Sequence, residues 1–150
     1  MTQLTIPHIE NATNLLFGVL SDLHLTDPAL GPCRQSELFR AALERFRDRG
    51  VDAVLVCGDL TDIGFTTELK EVARVWFEVF PGGRLPDGRR VAKLMFYGDH
   101  DMQGRIRKLP HVLRRYEECG LPLPQGLDEG DNRHTLWERL FGEKWEPLSQ

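Results

Sequence analysis

Apolar residues fall in three short, nearly continuous runs, and the two stretches between them carry apolar residues at every third or fourth position. Leu15 to Ser21 (LLFGVLS), Ala53 to Cys57 (AVLVC) and Val91 to Tyr97 (VAKLMFY) have the length and composition of strands, the second a buried one. Between the first two, Leu38, Phe39, Ala42, Leu43 and Phe46 predict an amphipathic helix over Gln35 to Arg49, with Gly50 as its stop. Between the second and third, Leu69, Val72, Ala73, Trp76 and Phe77 predict a helix over Thr67 to Phe80. Pro28, Gly31 and Pro32 mark one loop, and Pro81, Gly82, Gly83, Pro86 and Gly88 mark another. Strand, helix, strand, helix, strand is the order that right-handed crossovers turn into a parallel sheet covered by helices. The expected class is therefore α/β, with a parallel or mixed sheet flanked by helices. Farther on, Arg105 to Cys119 is helical but interrupted by Pro110, Leu121 to Asn132 reads as a loop, and His134 to Phe141 predicts a short helix. Trp76, Phe77, Phe80, Trp137 and Phe141 are expected in the core, as is Cys57, a small packing residue inside its strand.

All three strands end in acidic residues and histidines, and in parallel α/β sheets ligands gather outside the carboxyl ends of the strands. The first cluster is Asp22-Leu23-His24, which in an extended segment places both side chains on one side, within reach of one cation. Alone it reads more readily as a polar strand end facing water. The second, Gly58-Asp59-Leu60-Thr61-Asp62, begins where Gly permits a tight backbone; alone it also fits a helix cap or an Asx turn. The third, Gly98-Asp99-His100-Asp101, crowds three ionisable groups, whose burial is costly unless a cation or solvent relieves it.

Composition narrows the choices without adding chemistry. Over 150 residues, a formal charge of -4 and a pI near 5.7 give no general attraction to nucleic acid or anionic membrane. Met1 to Asn14 is polar and lacks the order of a secretory signal, and no apolar run approaches membrane-spanning length. Cys33, Cys57 and Cys119 are odd in number and lack knuckle or redox spacing, so a reducing cytoplasm is expected. Arg84, Arg89, Arg90 and Lys93 surround a Gly/Pro-rich turn, while Arg105, Arg107, Lys108, Arg114 and Arg115 follow the third cluster and are expected to form a solvated helix face, the alternative being that they receive a phosphate or nucleotide.

The three clusters in this order resemble the calcineurin-like metallophosphoesterases, whose opening motifs read D-x-H, G-D-x-x-D and G-N-H-[DE]; the likeness spans Phe17 to Asp101. The resemblance implies a site with two divalent ions (Mn, Fe, Ni or Zn) in which Asp22 and His24 bind one metal, Asp59 bridges both, and Asp99 stands where the family has a metal-binding Asn. It places His100 beside the scissile phosphate as a catalytic residue, with Asp101 orienting its ring, while Asp62 braces the loop. It implies hydrolysis of a phosphomonoester or phosphodiester, the partner being a small phosphate ester or nucleotide, by a metal-bound hydroxide.

Two departures qualify this. Asp99 adds a charge where a neutral ligand is usual, and the family's closing histidines do not appear, since His111 and His134 read as surface or packing residues. Residues 1–150 are therefore expected to form one domain, part of a four-layer sandwich truncated at its carboxyl end, with one sheet face partly uncovered and a homo-oligomer or a missing half as the complement. Trp145 to Gln150 read as unfinished. The rival expectation is a non-catalytic metal-binding or interaction domain.

Overall fold

The computed structural model describes residues 14–104 and 106–143. Strands β1 (Phe17–Leu20), β2 (Ala53–Cys57) and β3 (Ala92–Phe96) form one parallel sheet in the order β1-β2-β3. Phe17 pairs with Ala53 and Ala53 with Ala92, so the strands end at one level and the three following loops leave the sheet along a single edge. Helices α1 (Arg34–Arg49) and α2 (Thr66–Val79) make the two crossovers, within a residue or so of the ranges expected from periodicity. Gly50, in the left-handed conformation at φ 67°, closes α1 by donating its N–H to the carbonyls of Phe46 and Arg47. After β3 come the single turn α3 (Asp99–Met102), α4 (Pro110–Glu118) and α5 (Asn132–Phe141). Pro110 does not interrupt a helix. It starts one, as the first residue of α4, where its missing N–H costs nothing.

Register assigns the faces of the sheet. Gly18, Leu20, Val54, Val56, Lys93 and Met95 share one face, against which α1, α2 and α5 pack. Val54, Val56, Leu43, Leu69, Val72 and Trp76 are all but fully buried there, each such side chain contributing about 1.5–3 kcal/mol. Gly18 lies under Phe46, whose ring occupies the space a β-carbon would need. Lys93 does not stand at the turn with Arg84, Arg89 and Arg90. It points into this face, with its ammonium 5.0 Å from the Trp137 ring and 4.5 Å from the Phe141 ring, and it pairs with Glu143.

On the other face the same register aligns Phe17, Val19, Leu55, Cys57, Leu94 and Phe96. None joins a packed cluster among the described residues, and Phe17 and Val19 are 43% and 58% exposed. Cys57 is thus an exposed thiol at the end of β2 rather than a core residue. Among the described residues the architecture is two layers, one sheet with helices on one side. Among the described residues, no helix is long and apolar enough to cross a membrane.

A second, smaller cluster joins Ile63 and Phe65, just beyond the site loops, to Val112 and Tyr116 of α4. Fully buried Glu68 holds this corner: its Oε2 accepts the N–H groups of Ile63 and Phe65, both at 3.0 Å, while its Oε1 lacks a partner among the described residues. Burial pushes its carboxyl up to about 8, against the pull of both backbone bonds and with help from the charges of Asp62 and Asp27. The folded-state value lies above the unfolded one, so the favourable contribution is complete at pH below about 4.5 and disappears as pH rises to 8. Between pH 5 and 8, Glu68→Gln is expected to remove about 3 kcal/mol of stability loss that the parent protein shows. Urea melts of both proteins at the two pH values check this, and parallel pH profiles would exclude it.

Candidate metal centre

The loops after β1 and β2 run side by side beyond the sheet. His24 N donates to Asp59 O at 3.0 Å, Leu25 N to Leu60 O at 3.1 Å and Asp62 N to Leu25 O at 3.1 Å, with Leu25 and Thr61 forming a parallel bridge. The loop after β3 is fastened to the second by Asp101, which is almost wholly buried. Its carboxylate accepts from Leu60 N (3.1 Å), Thr61 N (2.9 Å), Thr61 Oγ1 (2.5 Å) and Gly98 N (2.7 Å). Burial pushes this carboxyl above its usual range while the four bonds pull it back.

Among the described residues, only three other than glycine have positive φ: Asp22 at 53°, His24 at 45° and Asp59 at 47°. Left-handed backbone costs an ordinary L-residue roughly 1–2 kcal/mol, and such strain gathers at functional sites. All three are residues expected to bind metal. The strain predicts that Asp22→Gly is more stable than Asp22→Ala by about 1 kcal/mol, since both remove the carboxylate and only Gly relieves the backbone. Chemical denaturation of the two variants measures the difference, and equal stability would contradict the assignment.

The ligating atoms of His24, Asp59 and His100 lie within 4.8 Å of one another. His24 Nε2 is 3.8 Å from Asp59 Oδ2, and the two imidazoles meet edge to face with centroids 4.5 Å apart. Asp59 is aimed from two sides: His100 N donates to its Oδ1 at 3.0 Å, and its carboxylate fills the space beside Gly98. His100 Nδ1 lies 2.6 Å from the Asp62 carbonyl oxygen, to which it donates, leaving Nε2 as the atom His100 can offer. That bond, reinforced by the charges of Asp59, Asp99 and Asp62, raises the His100 imidazole above its ordinary range despite partial burial.

The structure therefore separates the expected residues. His24, Asp59 and His100 come together. Asp22 does not: the segment is not extended, because φ is positive at both Asp22 and His24, so the same-side argument fails and Asp22 is exposed, held by Ser21 Oγ. Asp99 is also exposed and accepts from Gln103 Nε2 at 2.6 Å. Asp101 does not orient the His100 ring, since all its bonds go to the second loop and to Gly98; the Asp62 carbonyl takes that part. A backbone carbonyl belongs to every residue type, so no sequence signal could have named Asp62 for it.

Of the second basic group, Arg107 is buried between Asp128 and Glu129, and Lys108, Arg114 and Arg115 are exposed; Arg105 lies outside the described residues. His111 is exposed, and His134 lies in α5; neither enters the ligand group.

Against known families, residues 15–82 match the calcineurin-like phosphoesterase superfamily domain. The matched segment holds the first two clusters and both crossover helices, while the third cluster lies beyond it and is fastened to the second by the Asp101 carboxylate. No curated protein matches the chain.

Proposed function

We propose that the chain hydrolyses phosphate esters with divalent metal held at the strand-end loops. The observation that supports this most directly is the meeting of two imidazoles and a carboxylate from three separate loops, on backbone strained at His24 and Asp59. His24 and Asp59 suit a cation chemically, one borderline nitrogen and one hard oxygen fitting Mn, Fe, Ni or Zn. A bound divalent ion supplies Lewis acidity and neutralises phosphate charge. Asp22 and Asp99, which the resemblance also assigns to metal, stand outside the group whose ligating atoms lie within 4.8 Å of one another.

What the chain itself contributes is positioning. Asp101 locks the second and third loops together, the His100 amide aims Asp59, and the Asp62 carbonyl fixes which nitrogen His100 presents. The substrate class is a small phosphomonoester or diester, or a nucleotide. The three unpaired cysteines accord with a reducing, cytoplasmic setting. Hydrolysis of p-nitrophenyl phosphate and its bis-ester in Mn²⁺, by the parent and by Asp59→Ala, tests this reading. Turnover that needs the metal and vanishes in the variant is expected, and an Asp59→Ala protein with undiminished metal-dependent turnover would refute it.

A second reading, cation binding without turnover, is favoured by the position of Asp22 and Asp99 outside the ligand group. It predicts metal uptake with no hydrolysis of either ester.

A further inference from the structure

A cleft between the β1–α1 connection and helices α1 and α2 shares no residue with the strand-end ligand group. We propose that Cys33, which lines this cleft, is a site of thiol–disulfide exchange, and that the cleft takes a low-molecular-weight disulfide bearing carboxylate and ammonium groups.

The cleft measures about 440 Å³, within the range of small-molecule sites. One wall is the 3-10 turn Pro28–Leu30 continued by Gly31 and Pro32. Buried Asp27 pins that turn to the rest of the fold: its Oδ1 accepts from Ala29 N at 2.9 Å, and its Oδ2 accepts from Thr67 Oγ1 at 2.8 Å and from the Tyr116 hydroxyl at 2.9 Å. Ser36 and Glu71, 6% and 4% exposed, also line it. Arg74 grips the Glu71 carboxylate through Nε and Nη2, both at 2.6 Å. The space is therefore preformed.

Cys33 caps α1, a helix of 16 residues whose amino-terminal amides and dipole favour a thiolate. The thiol makes one weak bond, Sγ to Gln35 Oε1 at 3.8 Å, to an exposed side chain that solvent can serve as well. The deciding neighbour is Ser36. Its Oγ is buried and has no hydrogen-bond partner among the described residues, although it lies beside the Cys33 sulfur and the Glu71 carboxylate. A buried hydroxyl left unsatisfied costs stability, and here it is a donor held ready for a thiolate or for a ligand in the cleft. Burial pushes the Cys33 thiol up, but the Ser36 and Thr26 groups beside the sulfur outweigh it and hold the thiol below its ordinary value.

Exchange needs no further oxidant. The Cys33 proton passes to solvent, the thiolate attacks one sulfur of the disulfide, a new S–S bond forms as the old one breaks, and the departing thiolate takes a proton from water. Cys33 is oxidised and the leaving half of the reagent is reduced. The charges of the lining choose the reagent: Arg40 and Arg74 supply two cations, and Glu37 and Glu71 two anions. Arg40 and Arg74 share Glu78 in exposed pairs, which give way readily to a ligand carboxylate.

The test uses the full chain, incubated with glutathione disulfide at pH 7 and quenched in acid, with the adduct at each cysteine counted by peptide mass spectrometry. Cys57 and Cys119 are exposed and Cys33 only half-buried, so exposure alone would put Cys33 last. Cys33 is expected to react about tenfold faster than either. Ser36→Ala should slow Cys33 about fivefold and leave the other two unchanged; because it deletes an unsatisfied hydroxyl it should not lower the urea midpoint, which separates the effect from unfolding. Arg40→Gln should slow the reaction with glutathione disulfide about threefold but not that with uncharged bis(2-hydroxyethyl) disulfide. Cys57 or Cys119 reacting as fast as Cys33, or an unaltered Cys33 rate in Ser36→Ala, would overturn the site. Equal rates for parent and Arg40→Gln with glutathione disulfide would overturn the charged reagent.

Discussion

Asp101→Ala is expected to lower stability by roughly 4–5 kcal/mol and to weaken cation binding at least tenfold. The reason lies in what the substitution leaves behind. Asp101 is 1% exposed and its carboxylate accepts three backbone N–H groups and one hydroxyl. Alanine removes the acceptor but not the donors, and each buried donor left unpaired costs about 1–3 kcal/mol. The donors belong to the loops after β2 and β3, so losing them also frees Asp59 from His100. Thr61→Val is the milder companion: it deletes only the 2.5 Å hydroxyl bond and should cost about 1.5–3 kcal/mol. Urea denaturation measures both effects, and Co²⁺ titration reads the coupling to the site. A loss below about 1 kcal/mol in Asp101→Ala would mean that water replaces the carboxylate and the loops are fastened by something else.

How far the sequence could be read follows from which features repeat along the chain and which do not. The strands were legible as short, nearly continuous apolar runs, and the crossover helices because burial imposes a period of 3.6 that Leu69, Val72, Ala73 and Trp76 obey. The convergence of three acidic strand ends was legible because a parallel sheet sends all its carboxyl ends to one edge. Within the site the reading stopped at side-chain identity. The left-handed backbone of Asp22 and His24 turns a same-side pair into one exposed carboxylate and one inward imidazole, and nothing in Asp-Leu-His announces positive φ. Asp101 looked like a partner for the ring beside it, but its carboxylate finds four donors elsewhere, and backbone donors carry no residue signature. Lys93 was grouped with the arginines around the turn by nearness in sequence, whereas its position in β3 puts it on the packed face beside two aromatic rings.

Gly98→Ala should leave most of the fold in place and reduce cation affinity by about two orders of magnitude. Gly98 has φ -99° and ψ -167°, a conformation open to any residue, so the requirement for glycine is not conformational. It is spatial. A β-carbon there would fall on the carboxylate and amide nitrogen of Asp59, closer than real contacts allow. Because Gly58 packs against Gly98, the second loop has little room to retreat, and the carboxylate must turn away from His24 and His100. Overpacking of this kind costs about 1–3 kcal/mol. Gly120→Ala provides the contrast: φ is +64° with nothing near the missing β-carbon, so it should cost about 1 kcal/mol through backbone strain and leave cation binding unchanged. If the two alanine variants bound Co²⁺ equally well, the contact between Gly98 and Asp59 would not be what aims the carboxylate. If only Gly98→Ala lost the ion while both melted at similar denaturant, the glycine would be shown to serve the site more than the fold.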